Sequence, residues 1–278
     1  MCFSKRQSFI NFYLLIICGL YKINEWRLGL FLIFLGFKDL IQAFLYKNIN
    51  NPKQLNFYTI LSWVHVCFQP LFVNIFFSYF DINFKEKEKR NEIEKEKRNE
   101  IEKEKEKGNE KEKEKEKRNK IWYVIYSINL IYGIISLFSL KDINKFSKNC
   151  VGNPSDNFCK KNTKSYLGKI HIGYQFNINH NKIFFKYFYF ILTFVPGLFS
   201  NAYTLYIFWL IFILIIKLLS NKINLRNGEF AAIWCFSSIL IYIPLALFSK
   251  QFLKLFQIIN FNIKGKYSWI INKIKYNQ

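Results

Sequence analysis

The strongest constraint on the fold is the segregation of charge. Residues 85–120 carry 29 charged side chains, 16 basic and 13 acidic, while the other 242 residues share only 31. Soluble domains spread charge over their whole surface. Here the remainder is dense in Phe, Ile, Leu and Tyr, which argues against a soluble globular enzyme. The same density excludes a fully disordered chain. The expected fold class is all-α: a polytopic transmembrane helix bundle with a disordered charged cytosolic loop.

A bilayer core about 30 Å thick takes roughly 20 apolar residues in a helix. Leu28–Tyr46, Phe57–Phe80, Ile121–Leu140, Phe184–Phe199, Tyr203–Ile216 and Glu229–Phe248 meet this pattern. Phe9–Leu20 is shorter and contains Asn11, so it reads as a seventh span, with an interfacial helix or signal-peptide core, and hence six spans, as the alternative. The chain divides into spans 1–3 over 1–84, a low-complexity Lys/Glu loop over 85–120, spans 4–7 over 121–248 with a loop at 141–183, and a tail over 249–278. With seven spans, 24 loop and tail Lys/Arg lie on one side and 14 on the other. The positive-inside bias places loop 81–120 and the C-terminus in the cytosol and loop 141–183 in the lumen or exterior. Six spans keep that placement after residue 28. The expected location is the secretory pathway or plasma membrane.

The charged block reads EKEKRNEI twice, at 86–93 and 94–101, then decays into Glu-Lys alternation. Alternation puts like charges at i,i+4, so an extended or fluctuating segment is expected, and 86–118 reads as a replaceable spacer. In loop 141–183, Ile170, Ile172, Tyr174, Phe176 and Ile178 alternate with polar residues and glycine, the pattern of a half-buried strand in a hairpin at the bundle mouth. Cys150 and Cys159 are a candidate disulfide, with two unrelated thiols as the alternative. The tail places Phe252, Leu255, Phe256 and Ile259 at helical spacing among lysines, which predicts a basic amphipathic helix attracted to anionic lipid headgroups. No motif points to nucleic acid as a partner.

Ionisable groups inside spans are costly and are functional candidates by default. They are Lys38, Asp39, His65, Lys186, Lys217 and Glu229, of which the last three lie near span ends. Asp39 and His65 fall about 10 and 12 Å below the luminal ends of their spans, at one level. Gln69 follows His65 by one turn, and Asn74 lies beyond Pro70. The candidate substrate-binding set is therefore Asp39, His65, Gln69, Asn74 and Glu229, in a polar cavity of the luminal half. Catalytic residues are not assigned. No cofactor is expected, and no metal: Cys150, Cys159, His171 and His180 have eight residues inside each pair, too many for an ordinary zinc site.

Trp63-Val64-His65-Val66-Cys67-Phe68-Gln69-Pro70-Leu71-Phe72-Val73-Asn74 and Gly228-Glu229-Phe230-Ala231-Ala232-Ile233-Trp234-Cys235 resemble an uncharacterised family of multi-pass integral membrane proteins of protists and large DNA viruses. Cys159, Ser165-Tyr166, Gly168-Lys169 and His171-Ile172 fit the same pattern. The resemblance implies no activity. The expected function is binding or transport of a small solute or lipid. An intramembrane lipid-modifying enzyme, with His65 and Asp39 or Glu229 as acid/base groups, is one alternative, and a structural or receptor-like scaffold is the other.

Overall fold

A computed structural model describes residues 4–96, 103–140, 159–167, 172–177, 182–200, 203–222, 242–255 and 259. The described chain is mostly helical: α1 Lys5–Tyr21, α2 Trp26–Lys47, α3 Pro52–Glu96, α4 Lys103–Leu137, α5 Lys182–Leu198 and α6 Tyr203–Lys222, with strands β1 Cys159–Leu167 and β2 Ile172–Asn177 between α4 and α5. Residues 242–247 and 249–255 are also helical. Among the described residues, Trp26–Lys47, Pro52–Asn83 and Lys115–Leu137 are long and apolar enough to cross a membrane.

The side chains are distributed inside out. On α4, Ile121, Val124, Ile128, Ile131 and Ile135 are exposed, while Asn129 and Ser136 are buried. On α1, Ile10, Leu14, Ile17 and Leu20 are exposed, while Ser8 and Asn11 are buried. In water this arrangement would leave a large apolar surface uncovered and hide the polar groups. In lipid it is the expected one, because polar groups seek partners inside the bundle.

α1 runs antiparallel to α2 along most of its length. Phe9 meets Phe44 at 6.0 Å and Phe12 meets Phe37 at 6.5 Å between ring centroids. Toward the other end Gly19 crosses Gly29, where a Cβ on Gly29 would stand 2.8 Å from the Gly19 carbonyl oxygen and 3.0 Å from that of Lys22. Both neighbours are backbone and cannot yield, so only glycine permits this approach. Ser4 caps α1, its Oγ accepting from the Gln7 N–H at 3.2 Å.

α3 and α4 pair antiparallel as well, with Phe68 against Gly133. The helices continue into the charged block, α3 to Glu96 and α4 from Lys103, where an extended or fluctuating segment was expected. Like charges at i,i+4 oppose a helix there, but opposite charges at i,i+3 and the good helix propensity of Glu and Lys favour it.

The alternating stretch forms a strand. Ile172, Tyr174 and Phe176 of β2 are buried, and β2 pairs antiparallel with β1, Ser165 opposite Tyr174 and Leu167 opposite Ile172. Phe176 packs 4.8 Å from Trp63, and Thr59 and Ser165 share a hydroxyl hydrogen bond of 2.7 Å. The sheet thus closes the end of the bundle formed by the C-terminus of α2, the N-terminus of α3 and the C-terminus of α4, over a cluster that includes Leu45, Cys67 and Tyr132. A second cluster fills the opposite half, where Phe31 meets Phe76 and Tyr242 at 4.6 Å each.

Candidate functional site

His65 is buried on the face of α3 that meets α2. Its ring stacks on Phe34 at 3.9 Å, and Phe34 stacks in turn on Phe72 at 3.8 Å. Nε2 lies 3.1 Å from the Phe34 carbonyl oxygen. A carbonyl only accepts, so Nε2 carries a proton in this contact. Lys38, one turn beyond Phe34, lies within electrostatic reach of the imidazole. Asp39 is also buried, and Gln42, three residues on, shares its side of α2 and is fully enclosed. Neither Nε2 nor Oε1 of Gln42 meets a hydrogen-bond partner among the described residues. That is an expensive arrangement, costing about 1–3 kcal/mol for each unpaired group.

The other candidates do not all join this cluster. Gln69 Oε1 accepts from the Tyr189 hydroxyl at 2.8 Å, which ties α3 to α5. Asn74 is nine residues from His65, two and a half turns, and so faces the opposite side of α3. Its Nδ2 donates to the Pro70 carbonyl at 2.9 Å and the Leu192 carbonyl at 2.7 Å. Glu229 and Cys150 lie outside the described residues, as does the side chain of Cys159. The structure thus brings Phe34, Lys38 and His65 together and sets Asp39 and Gln42 on the adjoining face of α2. Asn74 serves the α3–α5 contact.

Sequence reasoning missed a second polar centre at the opposite end. Asp81 is buried at the end of the apolar part of α3. Arg118 Nη1 donates to both its oxygens at 2.9 and 3.1 Å, and Trp122 Nε1 donates to Oδ2 at 2.8 Å. Next to it, Arg27 Nη2 donates to Asn119 Oδ1 at 3.1 Å, and Tyr126 bonds Ser78. Glu25, in the turn before α2, pairs with Lys22 at 3.2 Å and accepts from Ser249 at 3.3 Å. Burial alone would raise the Glu25 carboxyl, yet hydrogen bonds from Tyr79, Lys22 and Ser249 together with the Lys22 charge hold it below the usual carboxylate value. The signal for Asp81 and Arg118 was concealed by the repeat. Lys-Arg-Asn occurs at 89–91, 97–99 and 117–119, and only the third copy abuts an apolar helix.

A profile of a family of unknown function, DUF5765, matches residues 15–94 and 113–254. The chain belongs to this family. The DUF5765 match includes the α1–α2 crossing, the His65 cluster and the Asp81–Arg118 pair, and it omits residues 95–112 of the charged block. No curated protein and no solved structure matches the chain.

Proposed function

We propose that the chain is a seven-span membrane protein that binds or moves a small polar solute or lipid headgroup beside Asp39, Gln42 and His65, in the luminal half of the bundle. The seventh span in this reading is α1. Its antiparallel course along α2 from Phe44 to Gly29 supports a spanning helix over one lying flat at the interface. At about 1.5 Å per residue its 17 residues reach about 25 Å. Positive-inside bias then sets the charged block in the cytosol and the β1–β2 sheet at the luminal mouth.

The observation that carries the ligand-binding reading is Gln42, whose enclosed amide has no partner among the described residues. Buried polar groups in native proteins are almost always satisfied, and exceptions call for a water, an ion or a ligand. Gln42→Leu separates binding from scaffolding. With a scaffold role, leucine relieves an unpaired amide and leaves function intact. With a binding role, the variant is as stable as wild type or more so in ligand-free detergent, yet fails to restore the lipid and metabolite profile of a knockout. Full restoration by Gln42→Leu at normal abundance would refute the proposal.

A further inference from the structure

At the end of the bundle carrying Asp81, every described acidic side chain is already claimed: Glu25 by Lys22, Asp81 by Arg118 and Glu116 by Lys120 at 2.8 Å. Arg27 is left over. It is half-buried, its Nη2 engages only the neutral Asn119, and its Nε is enclosed without a hydrogen-bond partner among the described residues. It also occupies the first turn of α2, where the helix dipole opposes a cation. A half-buried guanidinium without a counter-ion is unfavourable, and arginine is the side chain best shaped to receive a phosphate through its planar fork. The surroundings fit a membrane interface: the guanidinium lies 4.6 Å over the exposed Trp26 ring, the Tyr126 hydroxyl is within its reach, and Trp122 is close by. Aromatic belts of this kind sit at headgroup level. Ser249, which reaches Glu25, brings the exposed Lys250 and Lys254 to the same end.

We infer that Arg27 anchors a binding site for the phosphate of an anionic phospholipid in the adjacent leaflet, the missing counter-ion being the headgroup itself. The inference rests on the membrane reading above. It is separate from the Gln42 site, which lies toward the opposite end of α2.

The test uses the full chain in neutral detergent, titrated with phosphatidic acid and, separately, with inorganic phosphate, and followed by native mass spectrometry. Wild type is expected to retain phosphatidic acid about tenfold more tightly than Arg27→Gln, the loss of one charge-assisted contact. Lys254→Gln, at an exposed position, should bind within about twofold of wild type. Arg27→Lys keeps the charge without the fork, should bind between the two extremes, and serves if Arg27→Gln fails to fold. Phosphatidic acid bound equally by wild type and Arg27→Lys and by Lys254→Gln at a much lower level would place recognition in the tail and overturn the inference, as would equal binding by wild type and Arg27→Gln. Competition by inorganic phosphate at equal concentration would replace the lipid with a free anion. A chain that is monodisperse without detergent and does not enter phosphatidylcholine vesicles overturns the membrane reading instead.

Discussion

Asp81→Asn tests whether the buried pair at the base of α3 and α4 holds the bundle together. The substitution preserves size and removes charge. Asp81 is 3% exposed at the side chain and accepts three hydrogen bonds, two of them from Arg118. Breaking a buried pair from one side typically costs 3–5 kcal/mol, because the remaining charge is stranded. The Arg118 side chain is 24% exposed, so it regains some hydration, and the asparagine oxygen still accepts one bond. The lower end applies, about 3 kcal/mol, or roughly two orders of magnitude in the folding constant. Reversible unfolding in mixed detergent micelles containing increasing dodecyl sulfate measures it. Asp81→Leu with Arg118→Met should cost less than either single change, since no charge is then stranded. Arg98→Gln, in the second Lys-Arg-Asn copy and outside the family match, should leave stability within about 0.5 kcal/mol of wild type. Asp81→Asn within that same margin, or Arg98→Gln as damaging as Arg118→Gln, would refute the reasoning.

The Gly19–Gly29 crossing predicts that Gly29→Ala destabilises the bundle by about 1–3 kcal/mol through overpacking against backbone, whereas Gly36→Ala, whose nearest neighbours are the side chains of Ile16 and Leu15 at 3.3 Å, changes stability by less than about 1 kcal/mol; unfolding midpoints of the two variants check the order. Glu25 predicts an acid-sensitive turn. Its folded carboxyl is held below the unfolded value, so its contribution is present above the unfolded pKa and is lost as pH falls through the folded one. Glu25→Gln should flatten the acid limb of a stability–pH curve, and an unchanged limb would remove Glu25 as its source.

Much of the architecture was legible because the signals were local. Ile172, Tyr174 and Phe176 alternate visibly, and one face of β2 is buried as alternation requires. The mostly apolar stretch from Phe57 to Phe80 carries no Asp, Glu, Lys or Arg and forms the body of α3. α1 was ambiguous because its apolar stretch Phe9–Leu20 is short and contains Asn11, which is buried in the folded chain. The candidate site was legible in part. His65 stood out as the histidine inside a span and is buried, yet its partner is a backbone carbonyl on α2, which no sequence displays. Gln42 was not among the candidates, although it follows Asp39 by three residues and shares its side of the helix. Asn74 was grouped with His65 by proximity along the chain, when half a turn of residual rotation sends it to α5. The span end drawn at Phe80 set Asp81 in a loop, and the block drawn over 85–120 set Arg118 in a spacer. Replacing 86–118 would remove the arginine that pairs with Asp81 of α3, whereas 95–112 falls outside the family match.

The glycine crossing also bears on the order in which the chain is assembled. α1 and α2 are joined by only four residues and meet through contacts close in sequence, so little chain entropy is lost in bringing them together. They can pair as soon as Lys47 has been synthesised, before α3 exists. Paired, α1 shelters Ser8 and Asn11 against α2 and presents Ile10, Leu14 and Ile17 outward. On the seven-span proposal, a helix too short and too polar to hold its place alone would be carried into the bilayer by its neighbour, and the two-helix unit would be the template on which the later spans are laid.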